Sequence, residues 1–183
     1  VTGLIMPFIN TESIELASSH AESLNVEIKK LNISSVVESF KATTTSFSSK
    51  ASEGNLHSRV RMTFLYGEAF HSGCLVMGTS NKSELLVGYY TKWGDGASDF
   101  LPMGDLYKSQ VYLLAKDLGI PKRILDRKPT AELWEGQTDE DELGIDYATL
   151  DQILLGLERQ LSFKRISSKT GIDPESVERV DNL

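Results

Sequence analysis

The sequence predicts an α/β protein with a mostly parallel sheet. The first observation is a strand, helix and strand within the first stretch of about thirty residues, which is the size of a βαβ unit. The second is the unbroken apolar run GCLVMG at 73–78, which is typical of a parallel strand covered on both faces. The third is a series of amphipathic helices that separate and follow these runs.

Local patterns predict the first elements in order. GLIMPF at 3–8 indicates a short buried strand, and the helix that follows has Asn10 or Thr11 as its cap. The alternating run NVEIKKLNI at 25–33 predicts a second strand. The stretch at 34–55 is partly helical and then becomes rich in Ser and Thr, which is typical of a mobile surface loop.

The rest of the chain is mainly helical. A helix is predicted over 56–71, and a second amphipathic helix over 106–120 with Val111, Leu114, Ala115 and Leu118 facing inward. A Pro, Thr, Gly and acid-rich segment at 128–145 then precedes three further helices. No repeat or linker divides the sequence, so we expect residues 1–183 to belong to a single domain.

Composition excludes several classes of protein. The net charge of -7 argues against a general affinity for nucleic acid. No apolar run approaches the ~18 residues that span a bilayer, so we expect no membrane association and a cytoplasmic protein. The single cysteine, Cys74, excludes an internal disulfide. It lies in the apolar run and is interpreted as a buried small hydrophobic residue, with a reactive thiol as the alternative. The three histidines have no metal-ligand spacing.

Ligands of an open parallel sheet bind beyond the carboxyl ends of its strands, which directs attention to the residues after 73–78. Two interpretations fit Thr79 and Glu84 there. In one, Asn81 caps a helix and Glu84 completes a capping box. In the other, Thr79 bonds a nucleotide and Glu84 is an oxygen ligand for Mg²⁺.

The run YYTKWGDGASDF at 89–100 combines two closely spaced glycines with Lys92, Asp95 and Asp99. Glycine lets backbone approach a ligand closely, and the four aromatic side chains would be costly to expose. A ligand pocket with aromatic walls is therefore predicted, with a solvated surface turn as the alternative.

Three basic residues are candidates for binding anions. Arg59 and Arg61 project from a predicted helix and can grip a phosphate or carboxylate through two hydrogen bonds, although solvated surface charges explain them equally well. Lys108 lies beside the positive end of its helix, where a bound phosphate would offset the repulsion.

Six segments together resemble the ammonia-dependent NAD synthetases, a family of N-type ATP pyrophosphatases. They are SRVRM, GTSNKSE, TKWGDGASD, LYKSQV, KPTAELWEGQTDEDELGI and GIDPESVERV. This resemblance implies a doubly wound, Rossmann-like fold of the adenine nucleotide alpha hydrolase-like type, with three α/β/α layers. It also implies a homodimer.

The resemblance further implies an activity. The carboxylate of nicotinic acid adenine dinucleotide (deamido-NAD) would attack the α-phosphate of ATP in the presence of Mg²⁺, and ammonia would then displace AMP to form NAD. The sequence leaves open whether ammonia is taken up free or delivered by a separate glutaminase. Such chemistry depends on positioning and charge neutralisation, which Lys108, Glu84 and Asp99 would provide without an acid or base.

Residue by residue, the resemblance implies binding roles for seven side chains. Those that contact ATP would be Thr79, Lys108 and Thr130; the Mg²⁺ ligand would be Glu84; those that bind deamido-NAD would be Arg59, Lys92 and Asp99. The segment 128–144 would close over the site and exclude water.

Two motifs of the family do not occur in the sequence. They are the phosphate loop Ser-Gly-Gly-x-Asp-Ser and the tail that contains His and Lys. We therefore expect an NAD synthetase domain without its N-terminal strand, phosphate loop and C-terminal tail. A chain of only these residues should be catalytically impaired.

Three alternatives remain at this point. One is an amidating ATP pyrophosphatase with a different acceptor. Another is a nucleotide-binding protein without turnover. The third interprets the C-terminal run at 161–180 as a helix-turn-helix DNA reader, which the acidic charge of the chain disfavours.

Overall fold

The computed structural model describes residues 1–9 and 12–183, so the predicted cap residues Asn10 and Thr11 lie outside the described residues. The described chain divides into two compact units. Unit 1 comprises residues 1–76 and 91–100, and unit 2 comprises residues 77–90 and 101–183.

Unit 1 contains the predicted βαβ pattern. Its elements are β1 (Thr2–Ile5), α1 (Glu12–Ser23), β2 (Glu27–Lys30), α2 (Ser34–Thr43), a 3₁₀ turn (Thr45–Phe47) and α3 (Lys50–Ser72). The two strands are parallel, with Thr2 opposite Glu27 and Ile5 opposite Lys30. Backbone hydrogen bonding continues past the strands, since the Ile33 N–H donates to the Pro7 carbonyl at 3.0 Å.

The core of unit 1 collects apolar side chains from three parts of the chain: the residues after β1, helix α2 with its cap, and helix α3. Its buried members are Met6, Ile33, Val37, Leu56 and Val60. Ile33 and Val37 have no exposed surface. Burial of each such side chain stabilises the fold by about 1.5–3 kcal/mol, so this cluster holds the start of the chain against α2 and α3.

Helix α3 begins at Lys50 rather than at Leu56, so the prediction of a loop over 50–55 is wrong. The cause is a capping box. Ser49 Oγ accepts from the Ser52 N–H at 3.2 Å, and Ser52 Oγ accepts from the Ser49 N–H at 3.1 Å. Two N–H groups at the helix start are satisfied in this way, which a reading of composition alone does not detect.

The predicted strand at 73–78 is also wrong. The segment contributes only one bridge residue, Met77, and Leu75 is 71% exposed. Asp99 occupies both backbone groups of Val76: its N–H donates to the Val76 carbonyl at 2.9 Å, and its Oδ2 accepts from the Val76 N–H at 2.7 Å. Cys74 is exposed, so its interpretation as a buried residue is wrong as well.

Unit 2 is helical in the part of the chain that the structure describes. Its helices are α4 (Lys82–Leu86), α5 (Lys108–Asp117), α6 (Lys122–Leu125), α7 (Asp139–Leu143), α8 (Tyr147–Glu158), α9 (Phe163–Thr170) and α10 (Pro174–Asp181). Helices α4, α5, α9 and α10 all pack against α8. A Cβ added at Gly156 would lie 2.6 Å from Ile166 Cγ1, so glycine allows the close approach of α8 and α9.

The exposed side of α5 departs from the prediction. Leu114 is 43% exposed and Leu118 is 70% exposed, although both were expected to face inward. Amphipathic spacing places residues on a common face but does not determine whether another element covers that face. No helix among the described residues is long and apolar enough to cross a membrane.

The C-terminal helices have the predicted helix, glycine turn and helix arrangement. Gly171 joins α9 to α10 with a left-handed φ of 77°. Ile166 and Val177 are buried within the core of unit 2. The apolar sides of both helices therefore serve packing.

Candidate functional site

The start of α4 carries Glu84 in a capping box. Asn81 Oδ1 accepts from the Glu84 N–H at 3.1 Å, and Glu84 Oε2 accepts from the Asn81 N–H at 3.1 Å. The structural interpretation of this pair is thus confirmed. Thr79 lies exposed just before the cap. One oxygen of Glu84 is committed to the helix, which leaves Oε1 for another partner.

That partner is Lys108 at the start of α5. Its ammonium donates to Glu84 Oε1 at 2.9 Å, and both side chains are less than one-fifth exposed. The ammonium also lies 4.9 Å from the centre of the Tyr147 ring, within the range of a cation–π contact. Lys108 and Glu84 therefore form a partly buried pair in which each charge offsets the other.

Side-chain oxygens of the protein accept hydrogen bonds from backbone N–H groups in the first turn of α5. The Lys108 N–H donates to Ser83 Oγ at 2.9 Å, and the Ser109 N–H donates to Asp151 Oδ2 at 2.8 Å. The carboxylates of Glu84 and Asp151 supply negative charge at this helix end. The prediction that a bound phosphate offsets Lys108 stays a prediction; the carboxylate that the structure places beside the ammonium is that of Glu84.

Sequence reasoning missed Asp151. It lies on α8 with Tyr147, Leu150 and Leu154, and all four side chains are buried. Their spacing places them on one stripe of the helix. The available signal was a carboxylate at an apolar position of that stripe, where an unpaired charge would be costly.

A second buried carboxylate, Asp139, lies at the end of the segment 128–145. It is 5% exposed and accepts from the Tyr147 hydroxyl at 3.0 Å. Tyr89 Oη lies 3.3 Å from the same carboxylate and 2.6 Å from Glu142 Oε2. Burial raises the pKa of Asp139, while the hydrogen bond from Tyr147 opposes that rise.

Both tyrosines of this cluster are held as hydrogen-bond donors. Burial raises the pKa of Tyr89 and of Tyr147, and the neighbouring carboxylates raise both further. A neutral phenol can donate to Asp139, whereas a phenolate would repel it. The cluster therefore anchors the C-terminal end of the segment 128–145 to the core of unit 2.

Thr130 makes contacts within its own segment. Its Oγ1 accepts from the Glu132 N–H at 3.0 Å, and the neighbouring Pro129 carbonyl accepts from the Asp139 N–H at 3.0 Å. These bonds fix the local turn. The role of Thr130 toward ATP stays a prediction from the resemblance.

In unit 1 the structure brings Arg59 and Lys92 together. Arg59 Nε donates to the Lys92 carbonyl at 3.2 Å, and both side chains reach the surface. The Lys92 ammonium lies 5.7 Å from the centre of the Trp93 ring. Arg61, the other candidate, donates from Nε to the Met6 carbonyl at 3.0 Å and so supports the backbone of unit 1.

Asp99 lies at the far end of the same loop. As described above, one of its oxygens accepts from the Val76 N–H. The residue is otherwise exposed. The pKa of Tyr66 is raised first by the burial of the Tyr66 hydroxyl and then by the negative charge of Asp99. Asp99 is thus a surface carboxylate whose position the backbone of Val76 fixes.

The TKWGDG loop is bound to α3. Asp95 Oδ1 accepts from Ser58 Oγ at 2.6 Å and from the Thr91 N–H at 3.0 Å. A Cβ added at Gly94 would lie 2.9 Å from Ser58 Cβ. For Gly94, the close approach that we predicted toward a ligand is in fact an approach to α3.

The expectation that the four aromatic side chains are covered is wrong for three of them, while their role as pocket walls stays a prediction. Tyr90 is 41% exposed, Trp93 is 67% exposed and Phe100 is 46% exposed. Trp93 also has a left-handed φ of 62°, which is uncommon for a bulky residue. Only Tyr89 packs against an apolar core.

The described residues contain no group of three or more His, Cys, Asp or Glu side chains that could hold a metal ion by themselves. Mg²⁺ is commonly bound by one or two carboxylates together with substrate phosphates and waters. The single carboxylate of Glu84 fits that mode of binding, in which the substrate completes the coordination.

Known proteins resemble the chain over its whole length. The model of the NAD synthase family matches residues 1–183. The chain is 50% identical over 184 aligned residues to the NH₃-dependent NAD⁺ synthetase of Thermococcus kodakarensis, covering 100% of this chain and 72% of that protein. It is 47% identical to the enzyme of the same name from Pyrococcus horikoshii, with the same coverage.

Two solved structures share the fold. The NMN synthetase of Francisella tularensis is 39% identical, with a TM-score of 0.85 over 98% of this chain and 71% of that one. The NH₃-dependent NAD synthetase of Campylobacter jejuni, solved with a nitrate ion, is 33% identical, with a TM-score of 0.81 over 100% and 71%. These similarities confirm the predicted fold class.

Proposed function

Because the chain belongs to the NAD synthase family, we propose that it catalyses the ATP-dependent amidation of deamido-NAD by ammonia. A carboxylate oxygen of deamido-NAD attacks the α-phosphorus of ATP, and pyrophosphate leaves. Ammonia then attacks the acyl carbon, AMP leaves with that oxygen, and a proton is released as the amide of NAD forms.

The observation that carries this proposal is the pair of Lys108 and Glu84. Each residue has the charge opposite to the ligand that it would take: the ammonium suits the triphosphate of ATP, and the carboxylate suits Mg²⁺. Without ligand the two charges offset one another at 2.9 Å. On binding, the metal and the phosphates would replace this contact without leaving either charge unpaired.

Bound Mg²⁺ would neutralise charge that develops on the triphosphate oxygens. Glu84 would be its protein ligand through Oε1, because the capping box occupies Oε2. Lys108 would hold the phosphates in a fixed position. The hydroxyls of Thr79 and Thr130 would add hydrogen bonds to the nucleotide.

Unit 1 offers the groups that suit the second substrate. Deamido-NAD carries two phosphates and a carboxylate. Arg59, which donates to the Lys92 carbonyl at 3.2 Å, and Lys92 both expose a cationic side chain on a chain with a net charge of -7. We place Asp99 on the same substrate as an acceptor for its hydroxyl groups.

The segment 128–144 would close over the bound nucleotide. Its end is anchored by the Asp139 and Tyr147 contact, while Thr130 lies in a turn held by local bonds. Closure would keep water from the acyl-adenylate, which water would otherwise hydrolyse.

A homodimer is part of the proposal. Leu113 on α5 is 66% exposed, and Leu118, which caps the C-terminus of α5, is 70% exposed. Exposed apolar patches are typical of surfaces that bind another protein. The family resemblance names the second copy as the partner.

A second acceptor is favoured by one observation, the similarity to the NMN synthetase of Francisella tularensis. The acceptor would then be the mononucleotide of nicotinic acid, and the chemistry at ATP would be unchanged. The two functions differ in whether the acceptor that the protein binds is a dinucleotide or a mononucleotide.

To test this, the protein is purified from the cells that naturally produce it. It is then incubated with ATP, Mg²⁺ and ammonium, and with either deamido-NAD or nicotinic acid mononucleotide. Mass spectrometry then follows the amide, AMP and pyrophosphate. We expect NAD, AMP and pyrophosphate in equal amounts and a kcat/KM at least about tenfold lower with the mononucleotide. A preference for the mononucleotide would replace the proposed acceptor, and no amide from either would refute the amidation.

A further inference from the structure

Asp151 on α8 connects the two helices that carry Glu84 and Lys108. We propose that Asp151 is a positioning residue for the amidation, which fixes the start of α5 and so the Lys108 ammonium relative to Glu84. This inference rests on the proposed function, because it concerns how that site is built.

Each oxygen of the Asp151 carboxylate holds a different helix. Oδ1 accepts from the hydroxyl of Ser83 on α4. Oδ2 accepts from the Ser109 N–H at 2.8 Å and from the Ser109 hydroxyl. The Ser83 hydroxyl in turn accepts from the Lys108 N–H at 2.9 Å. A continuous chain of hydrogen bonds therefore runs from Asp151 to the backbone of Lys108.

The setting makes these bonds strong constraints. Asp151 is 5% exposed and Ser83 has no exposed surface, so water cannot readily replace a broken bond. A buried carboxylate is costly unless its oxygens are satisfied, and here hydroxyl and backbone donors satisfy it. Leu150 and Leu154 show that an apolar residue would also suit this stripe of α8.

At this end of α5 the Lys108 ammonium, and not the backbone N–H groups of residues 107–109, is available to bind a phosphate. The N–H groups of Tyr107, Lys108 and Ser109 already donate to Gln110 Oε1, Ser83 Oγ and Asp151 Oδ2. An anion at this end would therefore depend on the ammonium and not on the helix amides. Because a displacement of about 1 Å can cost about 100-fold in rate, the position of that ammonium matters.

The decisive experiment is a double-mutant cycle on ATP affinity. Asp151→Asn keeps the size of the side chain but turns one acceptor into a donor that faces hydroxyl and N–H donors. Calorimetry measures the Kd for ATP with Mg²⁺ in the wild type, D151N, K108M and D151N/K108M. We expect D151N to weaken ATP binding about tenfold when Lys108 is present and less than about twofold when it is Met.

Turnover provides the second readout. D151N should lower kcat about 10- to 100-fold and leave the KM for deamido-NAD within about twofold, because Arg59 and Lys92 are untouched. Asp146→Ala is the matched control, because Asp146 caps the same helix α8 by accepting from the Thr149 N–H at 2.9 Å and from the Thr149 hydroxyl at 2.7 Å. It should lower stability and leave kcat unchanged.

Each outcome decides the matter. Equal losses of ATP affinity in both backgrounds would make Asp151 a purely structural residue and overturn the inference alone. Wild-type protein that forms no NAD would overturn the proposed function and this role together. Should D151N fail to fold, Ser83→Ala removes the bond that Ser83 donates to Asp151 and the bond that it accepts from the Lys108 N–H. The same cycle with K108M applies to that variant.

Discussion

At the scale of single residues, Lys108 and Asp151 are charged side chains that each need a partner of their own. Lys108 stood out because a cation is unfavourable at a helix N-terminus, and the structure places it against Glu84. Asp151 was missed because its partners Ser83 and Ser109 lie far from it in sequence. Spacing within one helix cannot reveal a hydrogen bond between helices.

Glu84 allows its structural and functional roles to be separated. In Glu84→Gln the side-chain oxygen can still accept from the Asn81 N–H, so the capping box is kept while the negative charge is lost. We expect the Mg²⁺ concentration for half-maximal activity to rise at least about tenfold, together with a fall in Tm because the Lys108 ammonium loses its partner. Asn81→Ala is the control for stability and should also lower Tm. An unchanged Mg²⁺ requirement in E84Q would exclude Glu84 as the metal ligand.

Gly94 provides a test of the bond between the TKWGDG loop and α3. In Gly94→Ala the new methyl group would lie 2.9 Å from Ser58 Cβ and from Thr91 Cγ2, which should destabilise unit 1 by about 1–3 kcal/mol. Gly67→Ala on α3 is the control, since nothing lies within 4 Å of its added Cβ, and it should stabilise by about 0.5–1 kcal/mol. Urea unfolding measures both, and equal effects would contradict the packing described here.

At the scale of elements, local signals predicted well and long-range pairing did not. The βαβ pattern and the α4 capping box follow from neighbouring residues, and both are confirmed. The run 73–78 is apolar enough for a strand, but Asp99 takes the backbone groups of Val76. Which residue supplies a backbone partner depends on tertiary contacts that periodicity does not encode.

Helix α3 should make the stability of unit 1 dependent on pH through His57. This residue is 2% exposed and stacks on Phe8 with ring centres 4.2 Å apart. Burial and then the charge of Arg61 lower the pKa of His57 below 6.5, while Glu53, 3.9 Å away, opposes that shift. Lys41 lowers the pKa further and Glu38 raises it.

The sign of the effect follows from linkage. Because the folded pKa lies below the unfolded value of 6.5, the contribution of His57 is fully present above pH 6.5 and is lost as pH falls through the folded pKa. The slope can reach about 1.4 kcal/mol per pH unit for one proton. The free energy of unfolding, measured in urea at several pH values between 5 and 8, should show this slope in the wild type and not in His57→Gln. Identical slopes in the two proteins would rule out His57 as the cause.

At the scale of the whole molecule, the sequence predicted the α/β class and the family, and the comparisons confirm both. The three helices α8, α9 and α10 were also predicted, because caps and a glycine turn mark their ends, whereas α7 inside the segment 128–145 was not. The exposure of α5 was not, since a chain examined alone does not specify what covers an apolar face.

The proposed homodimer predicts a mass of two chains in light scattering at micromolar concentration. The paired change Leu113→Glu and Leu118→Glu would place charge on the exposed leucines of α5 and should shift the mass toward one chain. Lys116→Glu on the same helix is the control for charge alone. A wild-type protein with the mass of one chain would refute the dimer.

The most direct test of the central claim follows oxygen from the acceptor carboxylate. Deamido-NAD labelled with ¹⁸O at both carboxylate oxygens is incubated with the protein, ATP, Mg²⁺ and ammonium, and AMP and NAD are analysed by mass spectrometry. Attack of the carboxylate on the α-phosphorus predicts one labelled oxygen in AMP and the other in the amide of NAD. Unlabelled AMP formed together with NAD would contradict the acyl-adenylate route on which this account depends.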